Sequence, residues 1–167
     1  MEPTDVDKDY LRFKKLFPIL IVDDNDDHCV LLERYLNRIG FHNIQIARRG
    51  FEALAMKDKV DLMLLDVEMP DISGVEVLKQ LKNEITTRHL SVLMITAIDT
   101  LENIIECIKL GAEDFLPKPF FAELLRVRID SCVDKKWSLH KEKIYVESLK
   151  YERERYEKLL NEKNEKT

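Results

Sequence analysis

The sequence predicts an α/β fold, with a five-stranded parallel doubly wound sheet built from (βα)5 units and a long C-terminal helical extension. Five short, continuous apolar runs are typical of strands that are buried on both faces. Stretches with helical spacing lie between these runs, which is the alternation expected of a parallel sheet. Residues 120–167 contain neither glycine nor proline, so nothing in that segment would end a helix.

The elements follow one another in a regular order. The predicted strands are residues 18–22, 44–47, 60–65, 91–96 and 113–116. Helical spacing is seen in Cys29, Leu32, Leu36 and Ile39, and again over residues 75–81, 101–108 and 124–129. Gly40 and Gly111 stand where the C-terminal ends of two helices are expected. We therefore expect parallel strands joined by right-handed crossovers.

Glycine, proline and charge divide the chain into three parts. All four glycines and all five prolines lie at or before Pro119, whereas 18 of the 34 residues from 134 to 167 are charged. We expect an N-terminal arm with some helical character over residues 1–16, a globular acidic domain over 17–133 and a helical extension over 134–167. The residues at this end that could pack back onto the domain are Tyr10, Leu11, Phe13, Leu16 and Phe17.

Composition excludes several classes of protein. A net charge of -5 argues against a general nucleic-acid binder, and no apolar run is long enough to span a bilayer. The N-terminus opens with acidic residues and lacks the layout of a signal peptide. The three cysteines are scattered and fit neither a disulfide framework nor metal-ligand spacing. A cytoplasmic protein without membrane or direct nucleic-acid contacts is the resulting expectation.

Reactive side chains follow four of the predicted strands. Asp23 and Asp24 end the first strand, Asp66 the third and Thr96 the fourth, and Lys118 follows the fifth. Because ligands of such sheets bind outside the carboxyl ends of the strands, we expect these residues to converge. With no histidine or cysteine expected nearby, an all-oxygen donor set predicts Mg²⁺. An Asp nucleophile beside a metal and a lysine is suited to phosphoryl transfer.

These residues resemble the receiver domain of two-component response regulators, of the chemotaxis-regulator type. The resemblance rests on four motifs in order, ILIVDDN, LLDVEMPDISG, LMITA and FLPKPF, and covers residues 17–133. It implies a flavodoxin-like fold, with Asp66 as the phosphorylation site and with Asp23, Asp24 and Asp66 as Mg²⁺ ligands. Thr96 would be the switch hydroxyl, and Lys118 would contact the phosphoryl group.

Further positions take their roles from the same resemblance. Phe115 would be the switch aromatic, and the backbone carbonyl of Glu68 would bind the metal. Pro70 and Gly74 match the turn after the phosphoacceptor strand, and Pro119 matches a cis-peptide position.

The resemblance also implies a function. A histidine kinase or a histidine phosphotransfer protein would phosphorylate Asp66, and the domain would act only on itself, as a phosphoacceptor and not as an enzyme. Glu68 and Ile98 would tune the lifetime of the phosphoryl group by gating water. The alternatives are a Mg²⁺-dependent phosphatase of the haloacid-dehalogenase type and a pseudo-receiver scaffold that is never phosphorylated. A phosphatase of that type would carry a second aspartate where this chain has Glu68.

The extension has an imperfect heptad pattern. In one register, one core position of the heptad holds Leu139, Val146, Arg153 and Leu160, and the other holds Glu142, Leu149, Tyr156 and Lys163. A second register uses Tyr145, Leu149, Glu152, Tyr156 and Leu159. We expect a homodimeric coiled coil that links the receiver to an output domain beyond residue 167. The alternative is a single solvated helix supported by i,i+4 charge pairs.

Overall fold

The computed structural model describes residues 5–97 and 101–164. In these residues the chain alternates between helices and strands. The helices are α1 (Asp5–Leu16), α2 (Asp26–Arg38), α3 (Gly50–Met56), α4 (Gly74–Asn83), α5 (Leu101–Lys109) and α6 (Ala122–Asn164). The strands are β1 (Ile19–Val22), β2 (Ile44–Ala47), β3 (Leu62–Leu65), β4 (Ser91–Thr96) and β5 (Asp114–Pro117). The predicted α/β class and the long C-terminal helix are confirmed.

All five strands form one parallel sheet in the order β2-β1-β3-β4-β5. Each strand lies within two residues of the predicted limits, because continuous apolar runs mark strands that are covered on both faces. Val22 pairs with Leu65, and the backbone N–H of Asp66 donates to the carbonyl of Val22 at 2.9 Å. The residues that follow β1 and β3 are therefore neighbours at the point where the strand order reverses.

Two apolar cores cover the two faces of the sheet, because alternate residues of a strand point in opposite directions. On β1, Ile19 and Ile21 face one core, and Leu20 and Val22 face the other. The first core includes Leu32 and Leu36 of α2 and Leu125 and Ile129 of α6. The second includes Ala53 of α3, Val77, Leu78 and Leu81 of α4 and Cys107 of α5.

The N-terminal segment is largely helical. Most of the predicted arm over residues 1–16 is the helix α1, with Tyr10 and Phe13 packed against the first core and Phe17 buried in it. Leu11 and Leu16, also expected to pack, are exposed. Lys14 Nζ donates to Asp130 Oδ1 at 2.9 Å and lies over the ring of Phe41. The arm is therefore a helix whose apolar face covers the core.

Internal contacts divide the chain into two compact units, Met1–Val133 and Asp134–Thr167. The first unit contains α1 together with the whole sheet. Between residues 134 and 158 of the second unit, α6 is exposed except at Lys136 and Trp137, which are half-buried. No helix in the described part of the chain combines the length and the apolar composition needed to cross a membrane.

The loop after β3 is tied to the start of α3. The carboxylate of Asp71 accepts hydrogen bonds from the backbone N–H groups of Gly50 and Phe51, each at 2.9 Å. Burial raises the pKa of Asp71, but the backbone hydrogen bonds from Phe51 and Gly50 outweigh it and lower the pKa to about 2. This contact anchors the loop that carries the residues after Asp66.

Tyr35 connects α2 to the first residue of α6, because its hydroxyl donates to the carbonyl oxygen of Ala122. We predict that Tyr35→Phe lowers the free energy of unfolding by about 1 kcal/mol, the scale of one hydrogen bond. Urea denaturation would measure the change. The control is Tyr151→Phe, which removes an exposed hydroxyl of α6 and should leave stability unchanged. Equal stability of both variants would contradict the prediction.

Candidate functional site

The turn after β1 holds Asp23 in a fixed position. Asp23 Oδ1 accepts a hydrogen bond from the backbone N–H of Asn25 at 2.9 Å. Asn25 is the N-cap of α2, since its side chain accepts hydrogen bonds from the backbone N–H groups of Asp27 and His28. The side chain of Asp23 is only 3% exposed, whereas the neighbouring Asp24 is exposed. The start of α2 therefore directs Asp23 into the site.

The turn after β3 places Asp66 next to Asp23. The side chain of Asp66 is 9% exposed, and its Oδ1 accepts a long hydrogen bond from the backbone N–H of Glu68 at 3.4 Å. The backbone N–H of Gly74 donates to the carbonyl of Val67 at 2.9 Å. A Cβ at position 74 would lie 2.0 Å from the carbonyl oxygen of Asp66. Only glycine allows α4 to begin this close to the end of β3.

Lys118 joins the two aspartates. Its Nζ donates to Asp23 Oδ2 at 2.6 Å and to Asp66 Oδ2 at 2.7 Å. Its backbone N–H donates to the carbonyl of Thr96 at 2.8 Å, which ties the end of β5 to the end of β4, and the following peptide bond to Pro119 is cis. Groups that are 95 and 52 residues from Lys118 in sequence therefore meet at one ammonium.

The ammonium of Lys118 stays charged because the two carboxylates surround it. Burial lowers the pKa of Lys118, but its hydrogen bonds to Asp23 and Asp66 outweigh burial and raise the pKa above the ordinary lysine value. At Cys29 it is the neutral form that is favoured. The Cys29 Sγ donates a hydrogen bond to the carbonyl of Asp23. Burial, and then the negative charge of Asp23, raise the pKa of the Cys29 thiol to about 11, so it remains a protonated thiol at neutral pH.

The cleft above these residues has a volume of about 680 Å³. Six of the predicted site residues line it, namely Asp23, Asp24, Asp66, Glu68, Pro70 and Lys118. Thr96 is fully buried at the end of β4, and Phe115 is half-buried against the second core, so neither lines the cleft. Pro119 lies beside Lys118 in an adjoining apolar pocket, and Ile98 lies outside the described residues.

The expectation that no histidine lies near the acids is wrong. His28 Nδ1 is 3.1 Å from Asp23 Oδ2 and 3.1 Å from Lys118 Nζ. His28 lies in the first turn of α2, which Asn25 caps, and that turn sits directly over the end of β1. The N-cap at Asn25 is the sequence signal that could have placed His28 there, since it fixes the residue three positions later on the first turn.

The cluster has the chemistry of a cation site. The ligand atoms of Asp23, His28 and Asp66 lie within 4.8 Å of one another, and the Lys118 ammonium already contacts all three. The carboxylate oxygens are hard donors of the kind that Mg²⁺ prefers. The positively charged ammonium serves as a stand-in ion and shows that these donors accept a cation. The residues present therefore fit a divalent metal ion.

Comparison with known proteins agrees with this arrangement. Residues 19–130 match the family described as the response regulator receiver domain. The chain belongs to that family. Its members are signalling phosphoacceptors, which favours a phosphoacceptor role over the phosphatase alternative. The match covers all five strands and the start of α6.

Individual relatives show how much of each protein this receiver domain covers. It is 41% identical to the response regulator PleD of Caulobacter vibrioides over 115 residues, 68% of this chain and 25% of PleD. It is 36% identical to the chemotaxis protein CheY-3 of Vibrio cholerae over 123 residues, 72% of this chain and 95% of CheY-3. A CheY-like receiver domain of known structure from Methanospirillum hungatei has a TM-score of 0.67 at 27% identity, covering 74% of this chain and 98% of that one.

Several curated relatives are much longer than this chain. It spans 19%, 35% and 25% of the length of three of them. The similarity therefore concerns the receiver domain and leaves the rest of those proteins unmatched.

Replacing Lys118 by methionine removes the cation and keeps a long side chain. Asp23 and Asp66 then lie close together without compensation, so we predict a loss of about 3 kcal/mol in unfolding free energy at about pH 8. In the wild type the raised pKa of Lys118 means that its contribution is fully present below the ordinary lysine pKa and is lost as the pH rises through the raised value. In the variant, the repulsion is relieved once either carboxylate is protonated, so the deficit should shrink towards about pH 4.

Urea denaturation at both pH values, without divalent metal ions, would test this prediction. The control is Lys79→Met, which removes an exposed lysine of α4 and should show no comparable pH-dependent deficit. A Lys118→Met variant as stable as the wild type at the higher pH would contradict the predicted role of the ammonium.

Proposed function

We propose that this receiver domain accepts a phosphoryl group on Asp66 and changes conformation in response. The observation that carries the proposal is the Asp66 carboxylate, which lies at an open cleft with Lys118 Nζ 2.7 Å from its Oδ2. The donors are a sensor histidine kinase or a histidine phosphotransfer protein, as membership of the receiver family implies. The domain acts only on its own phosphoryl group, in forming and in losing it.

The chemistry assigned to Asp66 is nucleophilic attack on phosphorus. An oxygen of its carboxylate forms the new P–O bond while the P–N bond of a phosphohistidine breaks, and the imidazole leaves with the electron pair. Lys118 supplies a positive charge for the phosphoryl oxygens, because it already contacts the nucleophile. Asp23, Asp24, Asp66 and the Glu68 carbonyl would hold Mg²⁺, which when bound neutralises further charge on those oxygens.

The response is assigned to residues on the other side of the site. Thr96 is buried at the end of β4, and its carbonyl accepts the backbone N–H of Lys118, so the two positions are coupled through the backbone. In the proposed switch, the Thr96 hydroxyl moves towards the phosphoryl group and Phe115 turns into the space it leaves. The phosphoryl group shifts the population only by as much as it prefers that arrangement.

Phosphorylation at Asp66 can be tested with a small-molecule donor. After incubation with acetyl phosphate and Mg²⁺, we predict that intact-protein mass spectrometry finds one added phosphoryl group in the wild type. We expect none in Asp66→Asn, which keeps the size of the side chain and loses the nucleophilic carboxylate. The matched control is Asp61→Asn, which changes a half-buried aspartate at the amino end of β3, the end away from Asp66.

Three outcomes are informative. Addition in the wild type and in Asp61→Asn, but not in Asp66→Asn, is the expected result. Equal addition in Asp66→Asn would mean that another residue is the acceptor. The absence of addition in all three proteins would contradict the proposal and favour the pseudo-receiver alternative.

We also propose that the extension carries the output. In this proposal residues 1–16 form the N-terminal arm, 17–133 the receiver domain and 134–167 a coiled-coil linker to an output domain. The linker makes the protein a homodimer. Large side chains at seam positions of one register or the other are exposed along this part of α6 and support the proposal, namely Leu139, Tyr145, Val146, Leu149 and Tyr156. Side chains of this kind gain stability when a second helix covers them.

Leu149 tests the dimer in either heptad register, since both registers place it on the buried seam. We predict that Leu149→Glu shifts sedimentation velocity from dimer to monomer, because it buries a charge in the seam. The matched control is Tyr151→Glu, which introduces the same charge at an exposed position outside both seams and should leave the dimer intact. Monomers in the wild type, or equal dissociation of the two variants, would contradict the coiled coil.

A further inference from the structure

The imidazole of His28 belongs to the cation site of this receiver domain, although the phosphoacceptor chemistry proposed above makes no use of it. Nδ1 is 3.1 Å from the Lys118 ammonium, which also contacts Asp23 Oδ2 at 2.6 Å and Asp66 Oδ2 at 2.7 Å. An ammonium has donors and no acceptor. In the tautomer that carries its proton on Nε2, the imidazole therefore accepts through Nδ1 from the same ammonium as the two carboxylates.

The spacing of the donors suits a metal ion. Nδ1 and Asp23 Oδ2 are 3.1 Å apart. Two neighbouring ligands on an octahedral ion, each at about 2.1 Å from it, are separated by roughly 3 Å. The atoms of Asp23, His28 and Asp66 together lie within 4.8 Å of one another, so small side-chain movements would bring them around one ion.

The position of His28 is set by the fold. Its backbone N–H donates to the Asn25 cap at 3.1 Å, which holds the first turn of α2 against the end of β1. Its side chain is 44% exposed, so the ring borders solvent and an ion could reach it from the cleft. The backbone is therefore fixed while the imidazole remains accessible.

We propose that His28 contributes Nδ1 as a metal ligand together with Asp23 and Asp66. A nitrogen donor favours late first-row ions, which bind imidazole better than Mg²⁺ does. With this nitrogen ligand, the preference of the site for an ion of the Ni²⁺ type over Mg²⁺ is greater than it would be with the carboxylates alone. This inference rests on the cation site of the proposed function, but it does not depend on phosphorylation.

Isothermal titration of the full chain, without a polyhistidine tag, would test the proposal with Ni²⁺ and Mg²⁺ separately. We expect His28→Phe, which keeps a ring but loses both nitrogens, to weaken Ni²⁺ binding by about tenfold or more and to leave Mg²⁺ binding unchanged. His28→Gln is a second variant that avoids a larger apolar surface. The matched control is His42→Phe, because His42 is an exposed histidine just before β2, at the other edge of the sheet.

The outcomes separate this inference from the proposed function. Loss of Ni²⁺ affinity in both His28 variants, with wild-type affinity in His42→Phe, supports a nitrogen ligand. Unchanged Ni²⁺ affinity in the His28 variants, or an equal loss in His42→Phe, would overturn it, whatever the phosphorylation assay shows. If the wild type accepts a phosphoryl group on Asp66 while the His28 variants bind Ni²⁺ as well as it does, only this inference fails.

Discussion

The ammonium of Lys118 holds two buried carboxylates together at the carboxyl ends of β1 and β3, and the site depends on this contact. Asp23 and Asp66 would repel each other without it, because neither is exposed enough for water to screen the charge. The sheet supplies the geometry, since Val22 pairs with Leu65 and the next residues emerge side by side. The fold thus places the Asp66 carboxylate at the cleft and next to a cation.

The apolar runs were sufficient to predict the sheet, because strands covered on both faces have few polar positions. They were not sufficient for the elements that depend on tertiary contacts. α3 has seven residues, too few to show a periodic pattern, and its start is held by Asp71 from a distant loop. In α1, Phe13 packs inward as expected, whereas Leu11 remains exposed, since a short amphipathic helix covers the core with one face only.

The residue types of the site were predictable from the sequence, but their orientations were not. Asp23 and Asp24 are neighbouring residues of the same type, so the sequence alone does not distinguish them. In the fold, the turn that leads to the N-cap at Asn25 leaves Asp23 buried and Asp24 exposed to solvent. His28 was missed for the same reason, because its proximity to Asp23 arises from the turn between β1 and α2. The need for Gly74 also appears only in three dimensions, where a Cβ would collide with the Asp66 carbonyl.

The position of Lys118 has a consequence for any metal ion that binds there. Its Nζ lies among the donors of Asp23, His28 and Asp66, so the ammonium and a divalent ion would compete for the same donors. An ion bound to them would take over the neutralisation of both carboxylates and release the ammonium. A released Lys118 would then be available for the phosphoryl oxygens. If the two cations share one set of ligands, as proposed, then metal binding and the engagement of Lys118 with a phosphoryl group would be thermodynamically linked, each favouring the other.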